Sequence, residues 1–134
     1  MKRQLFLTLT VFTILGQSLI AQQSLYDGQE ITSPQINDDN SVTFHLLAPN
    51  AQEVKISGDW MPAEGWIPGS VTMEKDEKGV WTHTTEVLEP ELYGYSFQID
   101  GFRTIDPNNA FVNRDISTIT NILTASSALE ATFS

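Results

Sequence analysis

The stretch Leu92-Tyr93-Gly94-Tyr95-Ser96-Phe97-Gln98-Ile99-Asp100-Gly101 carries the fold decision. Tyr93, Tyr95, Phe97 and Ile99 alternate with Gly94, Ser96 and Gln98, and a period of two sorts the large apolar side chains onto one face of a strand. Asp100-Gly101 is a tight-turn pair, so Phe102-Arg103-Thr104-Ile105 reads as its partner strand. Beyond it, Asp106-Pro107-Asn108-Asn109 is another turn, and Thr118 to Leu123 a last β-prone stretch. Upstream, Val42, Phe44 and Leu46 alternate with Thr43 and His45; the turn Ala48-Pro49-Asn50-Ala51 follows, and Val54 and Ile56 alternate with Lys55 and Ser57. These two runs read as one hairpin. Val71 to Glu74 and Val80 to Thr85 flank Asp76-Glu77-Lys78-Gly79, whose glycine supplies positive φ, and read as a second. Short alternating runs with turn residues about every ten positions, and no helical stripe, predict an all-β fold: an immunoglobulin-like sandwich of about seven strands.

A chain of 134 residues has room for one such domain. With 40% hydrophobic and 18% charged residues it builds a packed core. Seven Lys+Arg against 17 Asp+Glu leave a formal charge of −10. That field repels phosphate backbones and anionic lipid, so nucleic acid is not an expected partner. The lack of cysteine removes disulfides, thiol catalysis and thiolate metal sites. At the N-terminus Met1-Lys2-Arg3 precedes the apolar run Leu5 to Leu15, and Ala21 offers a small residue for cleavage. This is the make-up of a secretory signal peptide. The apolar run is shorter than the roughly 18–20 residues a spanning helix needs, so no membrane association is expected once it is cleaved. The expected organisation is a signal peptide at 1–21, a polar leader with an edge strand at 22–40, the sandwich at 41–124 and a loose small-residue tail at 125–134. The expected location is secreted or periplasmic.

Catalytic chemistry is hard to place. Ser57-Gly58-Asp59 and Pro68-Gly69-Ser70-Val71 lack the flanking glycines of a Gly-x-Ser-x-Gly elbow, and His45 and His83 lie in expected strands with no matching nucleophile. Two histidines in two strands fall short of a zinc site and read as polar strand positions. Asp38-Asp39 and Asp76-Glu77 sit in turns, where acids favour the backbone geometry and stay solvated. No catalytic residue, metal or cofactor is expected. What remains is the aromatics. Trp60 and Trp66 lie in the connection Asp59 to Pro68, and loops run over the surface. An exposed indole stacks on the apolar face of a pyranose while its N–H stays free for a hydroxyl. A ring that plugs the end of the sandwich is the competing reading. Trp60 fits either, Trp66 fits packing better, and Trp81 fits the core, on a strand face shared with Val87. An acidic surface carrying neutral rings suits a neutral glycan.

The ordered series Val42-x-Phe44-x-Leu46-x-Ala48-Pro49-x-Ala51-x-x-Val54-x-Ile56-x-Gly58-Asp59-Trp60, then Met73-x-Lys75, Gly79-Val80-Trp81, Tyr93 to Gly101 and Asp106-Pro107-Asn108, resembles the family-48 carbohydrate-binding module. That is the early-set immunoglobulin-like domain in front of glycogen-branching and debranching enzymes. The wording is most similar to the N-terminal module of secreted Bacteroidetes esterases of carbohydrate esterase family 1, the feruloyl and acetyl-xylan type. In those an α/β-hydrolase domain follows, and this chain is expected to lack it. The resemblance implies a first stacking tryptophan at Trp60 and binding-loop contacts at Ile116 and Thr118. It puts a binding lysine on Ser96, a second stacking tryptophan on Arg103 and an asparagine on Thr120, all three departures from the family pattern. The expected ligand face therefore presents Trp60, Trp66, Ser96, Gln98, Arg103, Ile116 and Thr118 to a neutral polysaccharide, xylan-like or an α-glucan. The alternative is a truncated esterase fragment whose module only packs against a missing catalytic domain.

Overall fold

The computed structural model describes residues 30–126; the expected signal peptide, residues 22–29 of the expected leader and all but the first two residues of the expected tail lie outside them. Ten strands follow one another: β1 (Gln35–Ile36), β2 (Val42–Leu47), β3 (Val54–Gly58), β4 (Ser70–Thr72), β5 (Glu74–Lys75), β6 (Val80–Thr84), β7 (Leu92–Ile99), β8 (Phe102–Thr104), β9 (Val112–Arg114) and β10 (Ile119–Thr124). They form two antiparallel sheets, one ordered β1-β2-β6-β5 and the other β4-β3-β7-β10-β9, with β8 paired to β7. The sandwich class expected from the alternation holds. The strand count exceeds seven because β1, β5 and β9 are short edge pieces.

Alternation sets the faces as expected. Val42, Phe44 and Leu46 of β2 meet Val54 and Ile56 of β3 and Tyr93, Tyr95 and Phe97 of β7 in one core with Met73, Trp81 and Leu123. Each fully buried apolar side chain of this size contributes about 1.5–3 kcal/mol. Strand pairing departs from expectation. β2 and β3 do not form a hairpin: β2 pairs with β1 and β6, while β3 pairs with β4 and β7. Both strands bury one full face, so the connection between them arches from one sheet to the other. It is tied down where Ala48 N–H donates to Gly79 O at 3.0 Å and Ala51 N–H to Ala48 O at 3.1 Å. The run from Val71 to Glu74 likewise divides. Met73 N–H donates to Val54 O at 2.8 Å and its side chain is buried, so β4 stays with β3 while β5 turns into the hairpin with β6. Val87 is exposed and not core; Leu88 is the buried residue there.

The hairpin β7–β8 forms as expected. Asp100 (φ 48) and Gly101 (φ 88) both lie in the left-handed region, the requirement of a type I′ turn. The Asp100 carboxylate accepts from the Gln52 and Glu53 N–H groups at 2.9 and 2.8 Å and fastens the turn to the arch. At the other end of the core the buried Asp106 carboxylate accepts from Ser33 Oγ at 2.6 Å and Tyr95 Oη at 2.9 Å. Asn109 Nδ2 donates in turn to Tyr95 Oη. Among the described residues no buried side-chain polar atom lacks a partner.

Candidate functional site

The outward face of the larger sheet is built by the same alternation that fills the core. With Val54 and Ile56 turned in, Lys55 and Ser57 of β3 face out; with Tyr95 and Phe97 turned in, Ser96 and Gln98 of β7 share that outer face. Register then sets neighbours: Ser57 lies opposite Ser96, Lys55 opposite Gln98, and Gln98 opposite Arg103 of β8. These residues, with Ser70 and the loop residues Ile67 and Pro68, line an open cavity of about 240 Å³. A second cavity of about 430 Å³ lies on the far side of Arg103, walled by Thr104, Ile105, Ser117, Thr118 and Ile119. Arg103 belongs to both. The two adjoin at Arg103 as an open groove with hydroxyls along both parts.

Trp66 borders this groove through its chain neighbours Ile67 and Pro68, and its own side chain lines neither cavity. Glu64 and Ile67 exchange both backbone hydrogen bonds, 3.1 and 3.2 Å, around the pair Gly65-Trp66. Gly65 takes φ 66 at the first central position, as a type II′ turn requires. The turn holds Trp66 at 102% relative exposure, beside the lining residues Ile67 and Pro68. The expectation that Trp66 packs is corrected: no core element covers a side chain at the tip of a two-residue turn.

Trp60 takes the opposite role. Its ring stacks on Phe44 at 5.4 Å with 10° between planes and meets Tyr93 edge-on at 6.1 Å. Asp59 fixes this placement. Its N–H donates to Gly94 O at 3.0 Å and its Oδ2 accepts from Gly94 N–H at 2.7 Å. Met61 N–H closes the turn onto Gly58 O at 3.0 Å, and the indole folds back over Gly58, where an added Cβ would lie 2.1 Å from Cζ3. Of the two readings open for Trp60, the structure shows packing on one side: its ring is partly buried against the core and lines neither cavity. Trp81 is core, with Nε1–H donating to Ala48 O and Lys75 Nζ 5.4 Å from its ring.

Of the remaining expected contacts, Gln98 lines the first cavity, Thr118 the second and Arg103 both. Ser96 is 4% exposed, and its Oγ accepts from Arg103 Nε at 3.0 Å. It positions the guanidinium rather than presenting itself to a ligand. Ile116 is 103% exposed at the β9–β10 turn and lines neither cavity. Lys55, Ser57 and Ser70 were not among the expected residues, although the alternation of Lys55 and Ser57 with Val54 and Ile56 already marked them as outward.

Burial holds the His83 imidazole below its ordinary pKa against the opposing effect of Glu74, and burial raises the Tyr95 phenol, which donates to Asp106. His45 Nδ1 lies 3.2 Å from Thr82 Oγ1. Among the described residues no group of three or more His, Cys, Asp or Glu is placed to hold a metal ion.

The model of carbohydrate-binding module 48, the isoamylase N-terminal domain, matches residues 30–112. An endo-1,4-beta-xylanase/feruloyl esterase of Xylanibacter ruminicola is 36% identical over 81 residues, 60% of this chain and 10% of that protein. A 1,4-alpha-glucan-branching enzyme of Yarrowia lipolytica is 41% identical over 49 residues, 37% of this chain and 7% of that protein. The chain thus spans a tenth or less of the curated relatives it matches. Among solved structures, the pullulanase of Anoxybacillus sp. LM18-11 superposes with a TM-score of 0.54 at 20% identity, covering 74% of this chain and 14% of that one. GBS pullulanase SAP in complex with maltotetraose gives 0.53 at 19%, covering 69% and 14%. These last two likenesses speak to the fold alone.

Proposed function

The chain belongs to the carbohydrate-binding module 48 family, and from that premise we propose that it is a non-catalytic, exported module that binds a plant polysaccharide with a neutral, xylan-type main chain. The observation that carries this reading is the fully exposed Trp66, presented by a closed turn whose next residues, Ile67 and Pro68, line a hydroxyl-bearing groove. The turn fixes the backbone beneath the ring, so stacking orders only a side chain with two torsions, and the N–H at its edge remains available to a sugar hydroxyl. An open groove with one flat ring suits an extended chain of pyranoses. The Xylanibacter relative, named a xylanase and feruloyl esterase, supports xylan over α-glucan. The Yarrowia branching enzyme is the observation favouring an α-glucan as second reading.

Affinity electrophoresis and calorimetry of the purified chain against neutral arabinoxylan and soluble starch test it. Retention by arabinoxylan that falls about five- to hundredfold in Trp66→Ala is expected, on the scale of one lost aromatic stack. Retention by starch alone would replace the substrate class, and unchanged affinity in Trp66→Ala would remove the platform.

A further inference from the structure

We propose that Arg103, with Lys55 behind it, forms a carboxylate-selecting subsite, so that the polysaccharide recognised carries uronic acid substituents on its neutral main chain; this rests on the glycan-binding reading above. Charge placement carries the inference. The chain has 17 Asp+Glu against seven Lys+Arg, yet no carboxylate lines either cavity of the groove, while Lys55 and Arg103 do. Arg103 sits where the two cavities meet, so any chain that crosses the groove passes it.

The guanidinium is also prepared for an anion. Its Nε donates to the buried Ser96 Oγ at 3.0 Å, which fixes the plane of the fork. Among the described residues no carboxylate pairs with Arg103, so its two terminal nitrogens are left to a ligand. A planar, always-charged fork with two parallel donors is the side chain suited to bidentate capture of a carboxylate. Lys55 lies two strands away in the same lateral row, Lys55–Gln98–Arg103, at about 10 Å by the usual strand spacing. It is shared with Glu53 at 3.3 Å in a half-exposed pair, the kind worth little and easily exchanged. Neither cation serves the core, in contrast to Lys75, whose Nζ is spent on the Pro49 and Ala51 carbonyls.

The test compares glucuronoxylan with the same polymer after its uronates are reduced to neutral sugars, and with polygalacturonate, by calorimetry on the full chain. The expected result is five- to tenfold tighter binding to glucuronoxylan than to its reduced form, a gain for one charge-assisted contact that shrinks with added salt. Arg103→Gln should abolish that difference, with a loss of affinity for glucuronoxylan several-fold larger than any loss for the reduced polymer. Lys78→Gln, the same change of net charge in the β5–β6 turn, should leave it intact. Equal affinity for the two xylans, or an Arg103→Gln loss of the same size on both, would overturn the subsite while leaving the Trp66 platform standing. Binding polygalacturonate as tightly as glucuronoxylan would overturn the claim that the acid is a substituent on a neutral chain. Binding to none of the three would overturn the xylan-type reading and the subsite with it.

Discussion

Replacing Trp60 by alanine should unfold the protein more readily without touching its ligand platform, and the size of the effect follows from what the ring contacts. A buried Trp→Ala change costs about 3–5 kcal/mol. Trp60 is only partly covered, so about 3 kcal/mol is expected, of which its pairs with Phe44 and Tyr93 supply about 0.5–1.5 kcal/mol each. In a domain of this size each kcal/mol moves the midpoint by about 4–8 °C, so Tm should fall by roughly 12–24 °C. Trp66→Ala is the control. Its side chain is fully exposed, and a surface change away from caps and special backbone stays within about 0.5 kcal/mol. Differential scanning calorimetry on both variants, with glycan affinity measured well below the midpoint, separates packing from recognition. A Trp60→Ala protein that keeps its Tm within about 4 °C yet loses the glycan would refute the assignment of the two rings.

Three further outcomes follow from the packing. Asp106→Ala removes the acceptor of Ser33 Oγ, Tyr95 Oη and the Asn108 N–H, and with a charged acceptor lost from a buried network the expected cost is about 3–5 kcal/mol by urea denaturation. A cost under 1 kcal/mol would mean that water replaces the carboxylate. Gly79→Ala forces a side chain onto φ 81 and a Cβ to within 2.5 Å of Pro49 Cα, so a loss of about 2 kcal/mol or more is expected, with the β5–β6 turn losing hydrogen-exchange protection first. His83 titrates below its ordinary 6.5 in the fold because burial disfavours the imidazolium. The unfolded chain then binds the proton more readily, so stability is full above pH 6.5 and declines as pH falls towards the folded pKa. Denaturation midpoints at pH 7 and pH 5 should show that decline in the wild type and a smaller one in His83→Gln, and equal slopes would exclude His83 as the cause.

Which face a residue takes was legible, as was pairing across a tight turn such as Asp100-Gly101; which strands meet across the longer connections was not. Tyr93, Tyr95 and Phe97 turn inward and Ser96 and Gln98 share the other face because a period of two is a property of the strand itself. That β2 and β3 part into different sheets depends on what covers each apolar face, and that is decided across the core. The two loop tryptophans divide along the same line. Trp60 is drawn in by the hydrogen bonds between Asp59 and Gly94, a contact across 35 positions that no local pattern announces. Trp66 is thrown out by a local cause, the positive φ of Gly65 in a turn closed between Glu64 and Ile67, and a glycine directly ahead of the ring was the available signal. Net charge hides the groove in a similar way. A formal −10 describes the far field and points to a neutral ligand, but a ligand in contact meets only the side chains within a few ångströms, where the Debye screen leaves the near charges dominant. Register brings Lys55 of β3 and Arg103 of β8 onto the wall of one cavity with no carboxylate among its lining residues. The sign of the charged side chains that line the groove is therefore set by strand pairing and not by composition, and it is opposite to the sign of the whole.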